Sequence, residues 1–211
     1  MVVLALPVRA TQKVLETIKP YLSEKTIITD VGSTKGNVVD AAKAVYGENL
    51  PAGFVPGHPI AGAEHTGVDA GKDDLFANHK VILTPLPTSS DWAVDKLIQL
   101  WQAAKAEVIC MDVDKHDEVL AHTSHLPHLM AFNLVEQLAN REDNLDIFRY
   151  AAGGFRDFSR IAASDPQMWH DIFFANKKAI LNAVDGFEQQ LTQIRKLIEN
   201  EDSQALMGLL G

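Results

Sequence analysis

The strongest constraint on the fold is a change of texture at Asp112: short apolar runs alternate with helical patterns before it, and no run reads as a strand after it. "VVLALP" (2–7) is continuously apolar, as a strand covered on both faces must be. "TIITDVGS" (26–33), "GFVPG" (53–57), "KVILTP" (80–85) and "AEVICM" (106–111) are the other strand candidates. Between them, Val14, Leu15, Ile18 and Leu22, then Val38, Val39, Ala42 and Val45, then Trp92, Leu97, Ile98 and Trp101 recur at helical spacing. Strands alternating with helices predict a mostly parallel α/β sheet, here over residues 1–112.

Residues 113–211 are predicted to be all-helical. "HDEVLAHTSHLPHLMAFNLVEQLAN" reads as helices broken around Leu126-Pro127, and "AAGGFRDFSRIAASDPQMW" as a Gly-rich turn with a short helix. Asp165 is placed to cap a helix whose first turn holds Pro166. Ile172, Asn176, Ile180, Ala183, Phe187, Leu191, Ile194 and Ile198 then recur at steps of three or four, which predicts one long helix. Its apolar stripe needs a partner, and a second subunit is the candidate.

Charge and cysteine content narrow the function. The net charge of −9, with no basic stripe, disfavours nucleic acid and anionic membranes as partners. The single Cys110 excludes an intrachain disulfide and a cysteine zinc site. No apolar run approaches transmembrane length and no basic segment precedes "MVVLALPV", so a cytoplasmic protein is the simplest reading.

Ligands of open α/β sheets bind beyond the carboxyl ends of the strands. The loops expected there are "LPV", "DVGSTKG" and "GHPIAG", so Ser33 and His58 are predicted to converge on one edge. Ser33 could activate or orient a histidine, or simply cap a helix. No G-x-S-x-G surrounds it, which weakens a hydrolase reading. His58 is the sharper candidate: Pro59 biases it towards an extended backbone, and Gly57 and Gly62 permit close approach of other groups. His122, His125 and His128 stand three apart and invite a metal reading, but Pro127 interrupts them and no carboxylate ligand pattern accompanies them. In "GGFRDFSR", Arg160 could clamp a carboxylate while Asp157 steadies its guanidinium, or the two could form a surface ion pair.

Taken in order and spacing, "DVGSTKG", "GHPIAGAEHTG", "SHLPHLMAFNL" and "GGFRDFSRIAASDPQMWHDI" resemble the prephenate/arogenate dehydrogenase family of tyrosine biosynthesis across essentially the whole chain. The resemblance implies a partial Rossmann-like parallel sheet followed by a helical domain that binds substrate and holds a homodimer. It implies oxidative decarboxylation of prephenate, or arogenate, with NAD or NADP. His58 would accept the ring hydroxyl proton, and Ser33 would hydrogen-bond His58 and that hydroxyl. Arg160 would bind a substrate carboxylate, with Ser124, His125 and His128 lining the pocket and His116 at its margin. Trp169, Asp117 and Glu64 would make gating or rim contacts. Pro7, Gly32 and Ser33 would touch the cofactor.

The family's chain opens with a strand and a G-x-G-x-x-G turn that seats the pyrophosphate. No G-x-G occurs among the thirteen glycines here, and "VVLALPV" resembles the family's fourth strand. The expectation is therefore a chain without the first half of that nucleotide-binding domain and with impaired cofactor affinity. Two other readings stay open: a non-catalytic dimerisation and effector-binding module, and a metal-dependent hydrolase using the helical histidines.

Overall fold

Among the described residues, five short strands carry the first half of the chain. They are β1 (Val2–Leu4), β2 (Ile28–Asp30), β3 (Gly57–Ile60), β4 (Lys80–Leu83) and β5 (Glu107–Cys110). In this computed structural model, residues 1–62, 71–142 and 148–211 are described; Glu64 lies outside them. Helices α1 (Thr11–Ile18), α2 (Gly36–Tyr46) and α3 (Asp91–Ala103) connect the strands. Strands β1 and β2 pair in parallel, as do β4 and β5. Leu4, Leu15, Ile28, Val38, Ala42 and Phe54 form one buried core, and Val55, Val81, Leu83, Leu97 and Trp101 belong to another. The result is the α/β layering expected from the alternation, and it is Rossmann-like as the resemblance implies.

The third strand departs from expectation. Residues 53–55 run beside β2, with Ile28 N donating to Gly53 O at 2.9 Å and Val55 N to Ile28 O at 2.9 Å. The same run continues into β3, which pairs antiparallel with β4, His58 opposite Ile82. His58 therefore sits within a strand, not in a loop after it. Pro59 is tolerated there because, among the described residues, 57–60 have a ladder partner on one side only. Gly53 is obligatory at the crossing: a Cβ would stand 2.3 Å from the Thr26 carbonyl oxygen.

The helical half contains α4 (Val113–Leu120), α5 (Leu126–Ala139), α6 (Gly153–Ser159), α7 (Pro166–Ala175), α8 (Lys177–Glu199) and α9 (Ser203–Leu210). Asp165 caps α7 as expected, accepting from Gln167 N at 2.8 Å. The break expected at Leu126-Pro127 is instead a π-helical turn, Ala121–His125, that joins α4 to α5. Pro127 lacks an N–H and its ring crowds the carbonyl four residues back, that of Thr123, so the helix widens there rather than ending. The expected single long helix is interrupted at Asn176 (φ −108°, ψ 33°), which separates α7 from α8. Asn176 is buried and its side chain hydrogen-bonds outside its own helix, which holds the break open.

Candidate active site

The two halves meet in a chain of buried polar groups. It starts at the carboxyl end of β2, where Asp30 ends a fully buried strand and is 2% exposed. A buried carboxylate needs partners. Lys35, fully buried at the start of α2, forms an ion pair with it. Gly32 N donates to Asp30 Oδ2 at 2.8 Å and Gly57 N to Oδ1 at 3.1 Å. Lys35 Nζ donates to Gly57 O at 2.6 Å, so the pair grips both backbone groups of the residue before His58. The grip is close: a Cβ on Gly57 would lie 3.1 Å from the Asp30 carbonyl oxygen. Nothing lies within 4 Å of such an atom on Gly62.

From the helical side, Asp117 on α4 reaches the start of α2. Its Oδ1 accepts from Lys35 N and its Oδ2 from Gly36 N, both at 2.8 Å. A carboxylate at a helix N-terminus also meets the positive end of the helix dipole. Burial alone would raise the Asp117 pKa, but hydrogen bonds from His116 and from these two amides hold it below the usual carboxylate range.

His116, fully buried, links Asp117 to His58: its Nδ1 lies 2.8 Å from Asp117 Oδ1, and its Nε2 lies 2.9 Å from His58 Nδ1. These contacts assign the protons. A carboxylate only accepts, so His116 Nδ1 carries hydrogen, and in the neutral ring its Nε2 is then the acceptor. His58 Nδ1 must then be the donor, which leaves His58 Nε2 with a free lone pair. Burial, reinforced by His116, Lys35 and His125, pushes the His58 pKa well below its ordinary 6.5. The imidazole is neutral and oriented, as a general base requires.

On the far side of Asp117, Asn176 Nδ2 donates to its carbonyl at 2.7 Å and lies 3.2 Å from His125 Nδ1. His125 is buried, and burial lowers its pKa to about 4. The π turn explains why His116 and His125 both belong to this cluster. Nine residues along an unbroken helix would place them about 180° apart, whereas one residue absorbed by the widened turn leaves about 80°. His128, half buried, stacks on Trp169 with ring centroids 3.7 Å apart and contacts the Ser124 carbonyl at 2.8 Å. His122 is exposed, so the three evenly spaced histidines do not converge.

The structure thus brings His58, His116, Asp117 and His125 together, with Ser124, His128 and Trp169 on the adjoining helices. Ser33 is half buried and makes no hydrogen bond to His58, whose Nδ1 is taken by His116. His116 is accordingly buried at the centre, not at a margin. Arg160 is exposed and opens the 3₁₀ turn Arg160–Ala163, which packs against α5. Pro7 and Gly32 follow β1 and β2 on the same sheet edge, as a dinucleotide site in a parallel sheet requires. A side chain at Gly32 would meet Asp30 Oδ2 at 3.0 Å and Val8 Cγ1 at 3.2 Å. These residues fit one side of such a cofactor.

Sequence reading missed Lys35, Asp30 and the site role of Asn176. Asp30 was detectable in principle: a carboxylate ending a buried strand demands a cation, and Lys35 is the nearest one downstream. Asn176 hid as a polar step in an apolar stripe.

Comparison with known proteins agrees with this geometry. Residues 1–110 match the family model described as prephenate dehydrogenase, nucleotide-binding domain, and residues 112–211 match that of the prephenate dehydrogenase dimerization domain. Cyclohexadienyl dehydrogenase of Zymomonas mobilis is 39% identical over 98% of this chain and 70% of its own length. Prephenate dehydrogenase of Bacillus subtilis is 41% identical over 97% of this chain, which spans 55% of that protein. The crystal structure of Aquifex aeolicus prephenate dehydrogenase with hydroxyphenyl propionate and NAD+ superposes with a TM-score of 0.90 at 38% identity, covering 99% of this chain and 72% of that one. With both domain models matched end to end and the histidine-centred site between them, the chain belongs to the prephenate dehydrogenase family.

Proposed function

We propose that this chain serves the oxidative decarboxylation of prephenate, or of arogenate, with NAD or NADP, giving 4-hydroxyphenylpyruvate or tyrosine. The observation that carries this reading is His58: a buried, neutral imidazole whose Nδ1–H is committed to His116, leaving Nε2 to accept a proton. The nicotinamide, when bound, supplies the carbon that accepts hydride from the ring carbon bearing the hydroxyl. The chain's own residues do the rest. His58 Nε2 takes the hydroxyl proton as that carbon becomes carbonyl-like. Loss of carbon dioxide aromatises the ring, so the protein need only position and deprotonate. Arg160 is assigned to a substrate carboxylate, the local cation by which a chain of net charge −9 accepts an anion. Ser124, His125, His128 and Trp169 are assigned to the pocket wall. Ser33 is assigned to the substrate hydroxyl or the nicotinamide, since it does not orient His58. Pro7 and Gly32 are assigned to the cofactor. The helical half is assigned to a homodimer interface.

The test is a hydride-transfer assay on the protein with prephenate and arogenate in parallel. His58→Asn should lower kcat by about 10²- to 10⁴-fold while substrate binding persists. Turnover near wild type in that variant would remove His58 from the chemistry.

A further inference from the structure

We infer that His58 does not hold the substrate's proton alone: His116 and Asp117 form a relay that stores it during turnover and returns it. This rests on His58 being the base. The proton count of the reaction asks for such a store. Hydride and carbon dioxide leave, and the bond to carbon dioxide leaves its electron pair in the ring. No net proton is released, so a proton must be given back to the phenolate oxygen, and in a buried site the one taken from the hydroxyl is the one at hand.

The surroundings of His58 make it a poor store. Its ring is buried, with Lys35 and His125 among the positive or titrating groups near it, and burial disfavours its charged form. Asp30 is committed to Lys35 and to the amides of Gly32 and Gly57. One step away a counter-charge is in place, because Asp117 Oδ1 stands 2.8 Å from His116 Nδ1. When His58 Nε2 gains the substrate proton, the proton on His58 Nδ1 passes 2.9 Å to His116 Nε2. His58 becomes the neutral Nε2–H tautomer, and the charge rests on His116 beside the Asp117 carboxylate. After decarboxylation both protons move back, leaving both rings in their starting tautomers. Asp117 is a positioning residue in this scheme: it fixes the His116 tautomer, and it is itself fixed by the amides of Lys35 and Gly36.

His116→Gln separates a relay from a mere support. Glutamine can accept from His58 and donate to Asp117, so it can keep both contacts, but it cannot carry the proton. The expected result is a fall in kcat of roughly tenfold or more, with KM for prephenate changed less than about threefold. The acid limb of the kcat profile should also move to lower pH, because the charge then stays on His58, where it is least stable. A uniform loss of rate with an unmoved acid limb, or wild-type turnover, would overturn the relay. A second measurement needs no substitution and no turnover: imidazole ¹⁵N shifts of the protein at neutral pH. They should report hydrogen on Nδ1 of both His58 and His116; hydrogen on Nε2 of either overturns the proposal. If the protein fails to oxidise prephenate while these shifts are as expected, it is the proposed function that fails and not the hydrogen-bond chain.

Discussion

A single imidazole in a buried site carries a pH signature that can be worked out in sign and size. His125 titrates at about 4 in the fold, against 6.5 for its ordinary value, because burial disfavours its charged form. Between those two values the unfolded chain binds a proton that the native chain does not, so stability falls as pH drops through that window and is fully present above it. The contribution is on the order of 3 kcal/mol across the window. His58, also shifted downward by burial, adds in the same direction. Urea unfolding at pH 7.5 and pH 4.5 should therefore show a smaller acid-induced loss in His125→Gln than in wild type. Equal losses would mean that His125 is not held neutral. The candidate base could be read in sequence because glycine and proline fixed its backbone; its partners could not. His116 and Asp117 lie 58 and 59 positions downstream, and the expected partner, Ser33, was nearer in the chain but is not hydrogen-bonded to it.

At the level of elements, the informative places are those where regular structure gives way. The π turn before Pro127 and the interruption at Asn176 face each other across His125. Strand and helix order followed from hydrophobic period, which tracks burial on a face. Breaks follow instead from single polar contacts made at long range, to which period is blind. Asn176 is the clearest case, since its amide serves the Asp117 carbonyl and His125 Nδ1 together. Asn176→Ala would leave His125 Nδ1 buried without a donor and the Asp117 carbonyl with only the Ala121 amide, at about 1–3 kcal/mol. Thermal unfolding should show that loss, and kcat should fall with it because Asp117 loses one of its anchors. Asn182→Ala, at an exposed site on α8, should change neither. Unchanged stability in Asn176→Ala would mean that the kink is held by packing rather than by this amide.

The whole molecule exposes more surface than a chain of this size keeps to itself. Its accessible area is 13359 Å², whereas a compact monomer of 23.2 kDa exposes about 9,700 Å². The excess, roughly 3,700 Å², is larger than the ~800 Å² each partner contributes to a standard interface. Part of it has an address: Leu181, Leu191 and Ile198 on α8 are each at least half exposed, as are Met207 and Leu210 on α9, while few residues of the helical half form a buried core of their own. Sequence periodicity already marked this stripe as unpartnered; that the helix bearing it would be shorter, starting after Asn176, was not visible. The region coincides with the match to a dimerization domain, which makes a second copy the fitting occupant. Light scattering behind size exclusion should give a dimer at micromolar concentration, and the melting temperature should rise with concentration as mass action requires. Leu191→Glu combined with Ile198→Glu would place carboxylates on the buried face of that dimer and should yield monomer, or a chain that unfolds at lower temperature. A wild-type protein that runs as a monomer, with a melting temperature independent of concentration, would mean that the stripe is covered by something other than a second copy of this chain.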